Sequence, residues 1–377
     1  MSFMSNQSAS TASAHTASTK SATLKIDGST GEGGGQIIRT ALSLSMLTGI
    51  PIEMTNIRAG RAKPGLMRQH LMCVQASQQI SNATVTGAAL GSSSFRFAPS
   101  AIRSGDYHFD IGSAGSTSLV LQTLLPAMLF ANTDQSVHST LSIKGGTHNP
   151  LAPTTDFLQH AFVPALAKLG MQVNIECVQA GFAPIGGGVI KATITPFMRR
   201  ADAKPLHLTE RGALSNIALV ASVLNLEYDI GKRELASAKS VLLESGVDAS
   251  LITTRANKLD GIGEGNTCYA QVTHECGDHL HHEIFTLLGE KRTSAEKMGY
   301  RLAGLVKRYL FKTDALVDEY LTDQLLLPLA LSGGGEFTAR IISQHTETQA
   351  WLIKQFLPVD IKFEAVDEQK TLVRVIC

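Results

Sequence analysis

The sequence predicts an α/β (α+β) fold, and three observations predict it. Hydrophobic residues make up 44% of the 377 positions and charged residues 17%, enough apolar surface for a substantial core and two domains. Thirty-three glycines imply many tight turns. Strand-like and helix-like segments alternate, and a triple glycine recurs at residues 33–35, 186–188 and 333–335, spacings of about 150 residues. Such spacings are too long for a solenoid and suit a core built from a repeated α/β unit.

Residues 24–27 read as a strand and 36–48 as a helix with an apolar face, stopping at Gly49. A second helix is expected over 64–79, with Pro64 in its first turn. Residues 84–97 alternate as strands about a turn at 87–94. In FDIGSAGSTSLVLQTLLPAML a strand ends at a turn of small residues, and a helix begins that carries Gln122. Backbone N–H groups left free at such a helix start can hold an anion. Between 201 and 205 the composition turns polar with a proline, marking a linker.

Residues 206–314 then read as a separate unit. It has a strand in LSNIALVASVL, a helix over 233–245 and two strands over 267–288 around CGD. An amphipathic helix over 290–311 puts Ala295, Met298, Leu302, Leu305 and Tyr309 on one face. After Thr313 the glycine-rich, apolar style returns. The expected organisation is a disordered tail over 1–22, a large domain over 23–204 and 315–377, and an inserted domain over 205–314.

Thirty-three basic residues balance 32 acidic ones, for a net charge of +1. A protein that coats long duplexes is more basic, so any nucleic-acid contact is expected to be short. Five scattered cysteines argue against a disulfide framework and for a reducing compartment. No apolar run is long enough to span a bilayer, and the Ser/Thr/Ala-rich start lacks the basic and apolar regions of a signal peptide. A cytoplasmic protein without a membrane partner is expected.

The positive charge is concentrated. GEGGGQIIRT places Glu32 in a glycine turn ahead of Arg39, and NIRAGRAKPGLMRQH supplies Arg58, Arg61, Lys63, Arg68 and His70. No acid occurs between Glu53 and Asp106. Arginines three apart in a Gly/Ala/Pro loop cover little apolar surface, and their planar forks match phosphate oxygens. Glu32 on the turn is placed to hold Mg²⁺ on a phosphate. The common nucleotide loops are missing: there is no GxxxxGK[ST], and GEGGGQ does not fit GxGxxG. The segment HECGDHLHH fits no zinc spacing and reads as a polar hairpin. His345 follows the third triple glycine by ten residues, with Tyr320, Asp323 and Gln324 on the helix before it.

Together GEGGGQIIRTALSLSMLTG, NIRAGRAKPGLMRQH, IGSAGSTSLVLQTLLPA, GGTHNPLAPTTDF, GFAPIGGG, GEKRTSAE and EYLTDQLLLPLALSGGGEF, with His345 downstream, closely resemble the RNA 3′-terminal phosphate cyclase family from about Leu24 to Phe356. The resemblance implies a large domain of three repeated βαβαββ-type units, akin to the enolpyruvyl transferases, with a small α/β insert. It implies ATP and an RNA with a 3′-terminal phosphate as substrates, and Mg²⁺ or Mn²⁺ as the metal. His345 would be the nucleophile and Glu32 the metal ligand. Arg39, Arg58 and Arg61 would contact phosphate, with Gln69, His70 and Gln122 completing the polar lining. Pro153 and Tyr320 would sandwich adenine beside Phe157, and Asp323 and Gln324 would face the ribose. Oligomeric state is left open between monomer and homodimer. One rival is a non-catalytic RNA-processing or ribosome-assembly relative, which would lack the histidine and part of the arginine set. Another is a small-molecule transferase of the enolpyruvyl type, which needs neither the histidine nor an adenine pocket.

Overall fold

β1 (Leu24–Asp27) runs through the first glycine turn into α1 (Gly35–Thr48), whose Ile37, Ile38, Ala41, Leu42 and Leu44 are buried. The helix stops at Gly49, which takes the left-handed conformation (φ 72°) that glycine adopts without a steric penalty. β2 (Ile52–Thr55), α2 (Arg68–Ser81), β3 (Thr84–Thr86) and β4 (Phe95–Ala98) follow. This computed structural model describes residues 22–132, 134–199 and 205–377. The expected tail over 1–22 lies outside them except for Ala22, and the expected linker except for Pro205.

The second helix differs from expectation at its start. It begins at Arg68, not at Pro64, because long-range partners hold the preceding backbone. Gly65 N–H donates to Ile57 O (2.8 Å) and Leu66 N–H to Ser92 O (3.0 Å). Gly65 is left-handed (φ 79°), and a Cβ there would run into the Gly91 backbone. Residues 58–67 are therefore a folded loop that presents side chains, not a helical turn.

Next come β5 (Asp106–Asp110), α3 (Thr117–Leu129), β6 (Ser139–Gly145), and a helix made of α4 (Thr155–Phe157), a π turn (Leu158–Phe162) and α5 (Val163–Lys168). β7 (Val173–Gly181) and β8 (Gly188–Ile194) close this run, and β9 (Leu206–Leu208) opens another. The chain then leaves for β10 (Leu214–Leu224), α6 (Tyr228–Glu244), β11 (Ile252–Lys258), β12 (Gly261–Ile262), β13 (Gly265–Cys276), β14 (His279–Leu288) and α7 (Ala295–Lys312). It returns through α8 (Glu319–Ser332), β15 (Gly335–Ala339), α9 (Gln344–Phe356), β16 (Asp360–Asp367) and β17 (Lys370–Ile376).

Three sheets contain four-stranded runs of one order: β1-β2-β4-β3, β5-β6-β8-β7 and β9-β15-β17-β16. In each, the first pair is parallel and the other two are antiparallel. The triple glycines do not mark this recurrence. One precedes α1, one joins β7 to β8 and one joins α8 to β15, three different junctions. Helices from the three runs meet in the middle, where α1 packs on α2, α3 and α9, and α8 packs on α9. This brings the N-terminal ends of several helices, with their unpaired N–H groups, into one region.

The fourth sheet, β11-β10-β13-β14, packs with α6 and α7 around its own apolar cluster, including Ile217, Leu219, Leu235, Leu242, Met298, Leu302 and Tyr309. Two helices here shift from expectation: α6 starts at Tyr228, and α7 at Ala295, where Ser294 Oγ accepts from Lys297 N–H (3.2 Å) as its cap. β9 pairs with β15, so the chain crosses to the fourth sheet after Leu208. Among the described residues no helix is long and apolar enough to cross a membrane.

Phe337 in β15 is almost fully buried in the main core, beneath the segment that leads to α9. Phe337→Ala removes a large buried ring, and urea unfolding is expected to show a loss of about 3–5 kcal/mol. A loss below about 1 kcal/mol would mean that this strand is not a core strand.

Candidate active site

His345 lies in the first turn of α9, whose N-terminus Ser343 caps by accepting from Thr346 N–H (3.3 Å). Its side chain is 53% exposed, and its Nδ1 is 2.9 Å from Gln36 Oε1 at the start of α1. The amide of Gln36 is oriented by its other contacts. Its Nε2 donates to Asp323 Oδ2 and to Gln349 Oε1, both at 3.3 Å. Thr40 Oγ1 donates to the same Gln349 oxygen (2.7 Å). Gln36 therefore turns its oxygen to His345, so the hydrogen sits on Nδ1 and the lone pair on Nε2. Burial, then the Arg39 and Arg61 guanidiniums, hold the imidazole below its usual range. The ring is neutral at pH 7, with a free Nε2.

Around the histidine the site alternates carboxylates and cations. Arg61 pairs with Glu32 through its carboxylate and donates to Glu32 O at 3.1 Å. Glu32 N–H donates to Thr348 Oγ1 of α9 (3.2 Å), fastening the glycine turn to the histidine helix. Glu32 Oε2 lies 4.0 Å from His345 Nδ1 and is buried without a hydrogen-bond partner. Asp323 on α8 is pushed up to about 7, chiefly by burial, against the opposing pull of the Gln324 amide and Arg39. Gln324 accepts from Gln122 of α3, so α3 and α8 meet across the site.

The base of the site is close-packed. A Cβ on Gly35 would strike His70 Nε2 and lie 2.9 Å from Arg39 Nη1, so glycine is needed where the three approach. His70 Nδ1 accepts from Met67 N–H (3.2 Å), which leaves Nε2 as the protonated nitrogen. Burial, Arg39 and Arg58 depress this histidine to about 3, so it stays a neutral donor. Arg39 is itself lowered by burial.

Other predicted residues have narrower roles in this geometry. Arg58, left-handed at φ 53°, directs Nη1 to Lys63 O (2.6 Å) and Gly65 O (3.1 Å) and so braces its own loop. Gln69 Oε1 accepts from Ser116 N–H (2.7 Å), joining α2 to the cap of α3. Pro153 is fixed by Ser118 Oγ, which donates to its carbonyl at 2.6 Å. Tyr320 is 68% exposed and stands free. Phe157 is buried in the main core.

The HECGDHLHH segment forms the expected hairpin between β13 and β14, but two of its histidines point into the interior. His274 and His281 are buried, and His281 Nε2 faces Glu283 Oε1 at 3.0 Å. Strand pairing sets His274 opposite His281, so distant packing decides their burial.

Gln36, Thr40, Thr348 and Gln349 escaped the sequence reading. Helical spacing was the available signal: Gln36 lies three residues before Arg39 and Gln349 four after His345, each on the same helix face as the predicted residue. Which amide atom faces the imidazole depends on partners from other helices.

Among the described residues no three or more His, Cys, Asp or Glu side chains converge as a metal cage. The donor set and the unpartnered Glu32 Oε2 fit one divalent ion held by a single protein carboxylate and otherwise by phosphate oxygens and water, the usual manner of Mg²⁺. A neutral imidazole beside paired guanidiniums, at converging helix starts, is equipped to bind an anion and attack it.

The family model for RNA 3′-terminal phosphate cyclase matches residues 30–363. A protein of that name from Ralstonia nicotianae is 46% identical, over 93% of this chain and 96% of the relative. Similar proteins of the same name come from Ectopseudomonas mendocina (44% identical, 92% and 96%) and Koribacter versatilis (43% identical, 93% of each). The chain belongs to the RNA 3′-terminal phosphate cyclase family.

The tautomer can be observed directly. In ¹⁵N-histidine NMR at neutral pH, His345 is expected as the Nδ1–H form, and Gln36→Leu is expected to shift it toward Nε2–H. A Nε2–H ring in the unaltered protein would contradict the orientation of the Gln36 amide.

Proposed function

We propose that this protein converts an RNA 3′-terminal phosphate to a 2′,3′-cyclic phosphate at the expense of ATP, with His345 as nucleophile. The names of the relatives support the overall reaction, and the carrying observation for the mechanism is the free Nε2 of a neutral His345 fixed by Gln36. Nε2 attacks the α-phosphorus of ATP, the bond to pyrophosphate breaks, and an Nε2–AMP phosphoramidate remains. An oxygen of the RNA 3′-phosphate then takes the AMP as the N–P bond breaks. The neighbouring 2′-hydroxyl finally attacks the 3′-phosphorus, loses its proton and expels AMP. A phosphate monoester lacks a good leaving group, and adenylation supplies one. Ring closure is intramolecular, so orientation carries much of its rate.

In the first step the imidazole gains positive charge as its nitrogen bonds to phosphorus. Gln36 Oε1 is already placed to accept from the Nδ1–H that shares that charge. Arg39, Arg61 and the neutral His70 donor take the phosphate oxygens, while Arg58 holds the loop that carries Arg61 in shape. Gln69 and Gln122 tie α2, α3 and α8 together around the bound nucleotide. Tyr320 and Pro153 form the two walls for adenine, and Asp323 and Gln324 face the ribose. A Mg²⁺ or Mn²⁺ ion on Glu32 would neutralise charge on the phosphates.

The recurring strand order supports a large domain of three βαβαββ units of the enolpyruvyl-transferase kind. The fourth sheet, with α6 and α7, forms an insert between β9 and α8. Five free cysteines fit a reducing, cytoplasmic setting.

Incubation with α-labelled ATP and Mg²⁺, without RNA, is expected to label the protein with an acid-labile, alkali-stable adduct that His345→Ala abolishes. Because the His345 pKa is lowered, its neutral form persists below pH 6.5. At subsaturating ATP the labelling rate is therefore flat near neutrality and falls only in an acid limb centred below 6.5. An adduct that survives His345→Ala, or an acid limb above that value, would sink the mechanism.

A further inference from the structure

The insert touches the rest of the molecule at several places, among them Tyr269 and Gln271 against His160, and two of these contacts reach the segments that carry Tyr320 and Pro153. Behind Tyr320, β14 delivers Glu283 into a dry joint, where the side chains of His281 and Glu283 are 1% and 2% exposed. Glu283 Oε1 accepts from the backbone N–H of Asp318 at 3.1 Å. Asp318 is the N-cap of α8, two residues before Tyr320, and its own side chain does not cap the helix. It pairs instead with Arg340, which lies on the segment that leads to His345 and whose backbone N–H donates to Val317 O (2.9 Å). One carboxyl from the fourth sheet thus fixes the entry to α8 and, through Asp318, the approach to α9.

Behind Pro153 the contact is made by β12 and the start of β13. Gly261 and Ile262 pair with Ala180 and Gly181 of β7. Gly265 lies so close to Phe182 that a Cβ would enter the ring. Phe182 stacks on His148, with centroids 4.8 Å apart and planes within 14°. His148 Nε2 donates to Asp156 (3.1 Å), and its Nδ1 meets the Thr147 hydroxyl (2.8 Å). These bonds pin both ends of the 147–156 loop that presents Pro153.

We infer that the insert is a brace: Glu283 against Asp318 on one side, and Gly265 against Phe182 and His148 on the other, set the width of the slot between Tyr320 and Pro153. His148, Phe182, His281 and Glu283 are positioning residues for nucleotide recognition. The inference rests on the assignment of Tyr320 and Pro153 as the adenine walls. A slot held at its back by a separate sheet selects the base by thickness and reach, while His345 and Gln36, held by α1 and α9, keep their chemistry. Loosening the brace therefore acts first on nucleotide affinity and base choice.

The test compares Glu283→Leu and Phe182→Leu, which remove one brace each, with Glu283→Gln, which keeps an acceptor for Asp318 N–H. Burial, and Asp318 next to it, push the Glu283 carboxyl up, so a neutral amide is a close replacement. Adduct formation is measured against ATP and GTP concentration, with near-UV circular dichroism to show that each variant is folded. Either leucine variant is expected to raise the half-saturating ATP concentration about tenfold and to narrow the ATP-over-GTP preference, with a smaller effect on the maximal rate. Glu283→Gln is expected to stay within about twofold of the unaltered protein. Folded leucine variants with unchanged ATP dependence and base preference would overturn the brace. So would a uniform loss at all nucleotide concentrations that merely tracks the unfolded fraction. If one leucine variant does not fold, the other still decides. If the unaltered protein forms no adduct, the histidine mechanism fails instead, and calorimetric binding of ATP and GTP to the same variants tests the brace separately.

Discussion

The site depends on one amide. Gln36 donates to Asp323 and Gln349 and offers its oxygen to His345, so a single side chain joins α1, α8 and α9. The network has little freedom, because each acceptor it uses is fixed from elsewhere: Gln349 by Thr40, and Asp323 by the Gln324 amide that Gln122 also meets. Buried polar networks of this kind are costly when incomplete and rigid when complete. Here completion has a chemical result, because it decides which imidazole nitrogen carries the proton.

The rest of the fold serves to bring those helix starts together. α1, α3 and α9 follow strands of three different sheets, and their first two turns supply Gln36, Gln122 and His345 with their neighbours. Glycine is used where backbone or side chains must approach closely, as at Gly35 between His70 and Arg39. The cations around His345 have two effects of the same sign. They favour an anionic substrate, and they keep the imidazole unprotonated. Under the proposed mechanism, arginines that bind polyphosphate would thus also keep the nucleophile available.

Much of this was legible in the sequence, though not always for the right reason. The helix over 36–48 and its stop at Gly49 followed from apolar spacing and one glycine, and the structure differs by a single residue. The triple glycines suggested a repeat, yet they sit at three different junctions, while strand order recurs without them. The local charge around Glu32, Arg39 and Arg61 was visible because no acid dilutes it. The start of α2 was not, because Gly65 and Leu66 donate hydrogen bonds to the carbonyls of Ile57 and Ser92, which no local pattern reveals. Gln36 and Glu283 were missed for a related reason. Each matters through a partner hundreds or tens of residues away, and a polar residue on a helix or strand carries no sign of which partner it will meet.

The most direct measurement is a crystal structure of the protein after incubation with ATP and Mg²⁺. The account predicts continuous density from Nε2 of His345 to the phosphorus of AMP, with Nδ1 still bonded to Gln36 Oε1 and adenine lying between Tyr320 and Pro153. Phosphorus on Nδ1, or intact ATP bound away from His345, would contradict it.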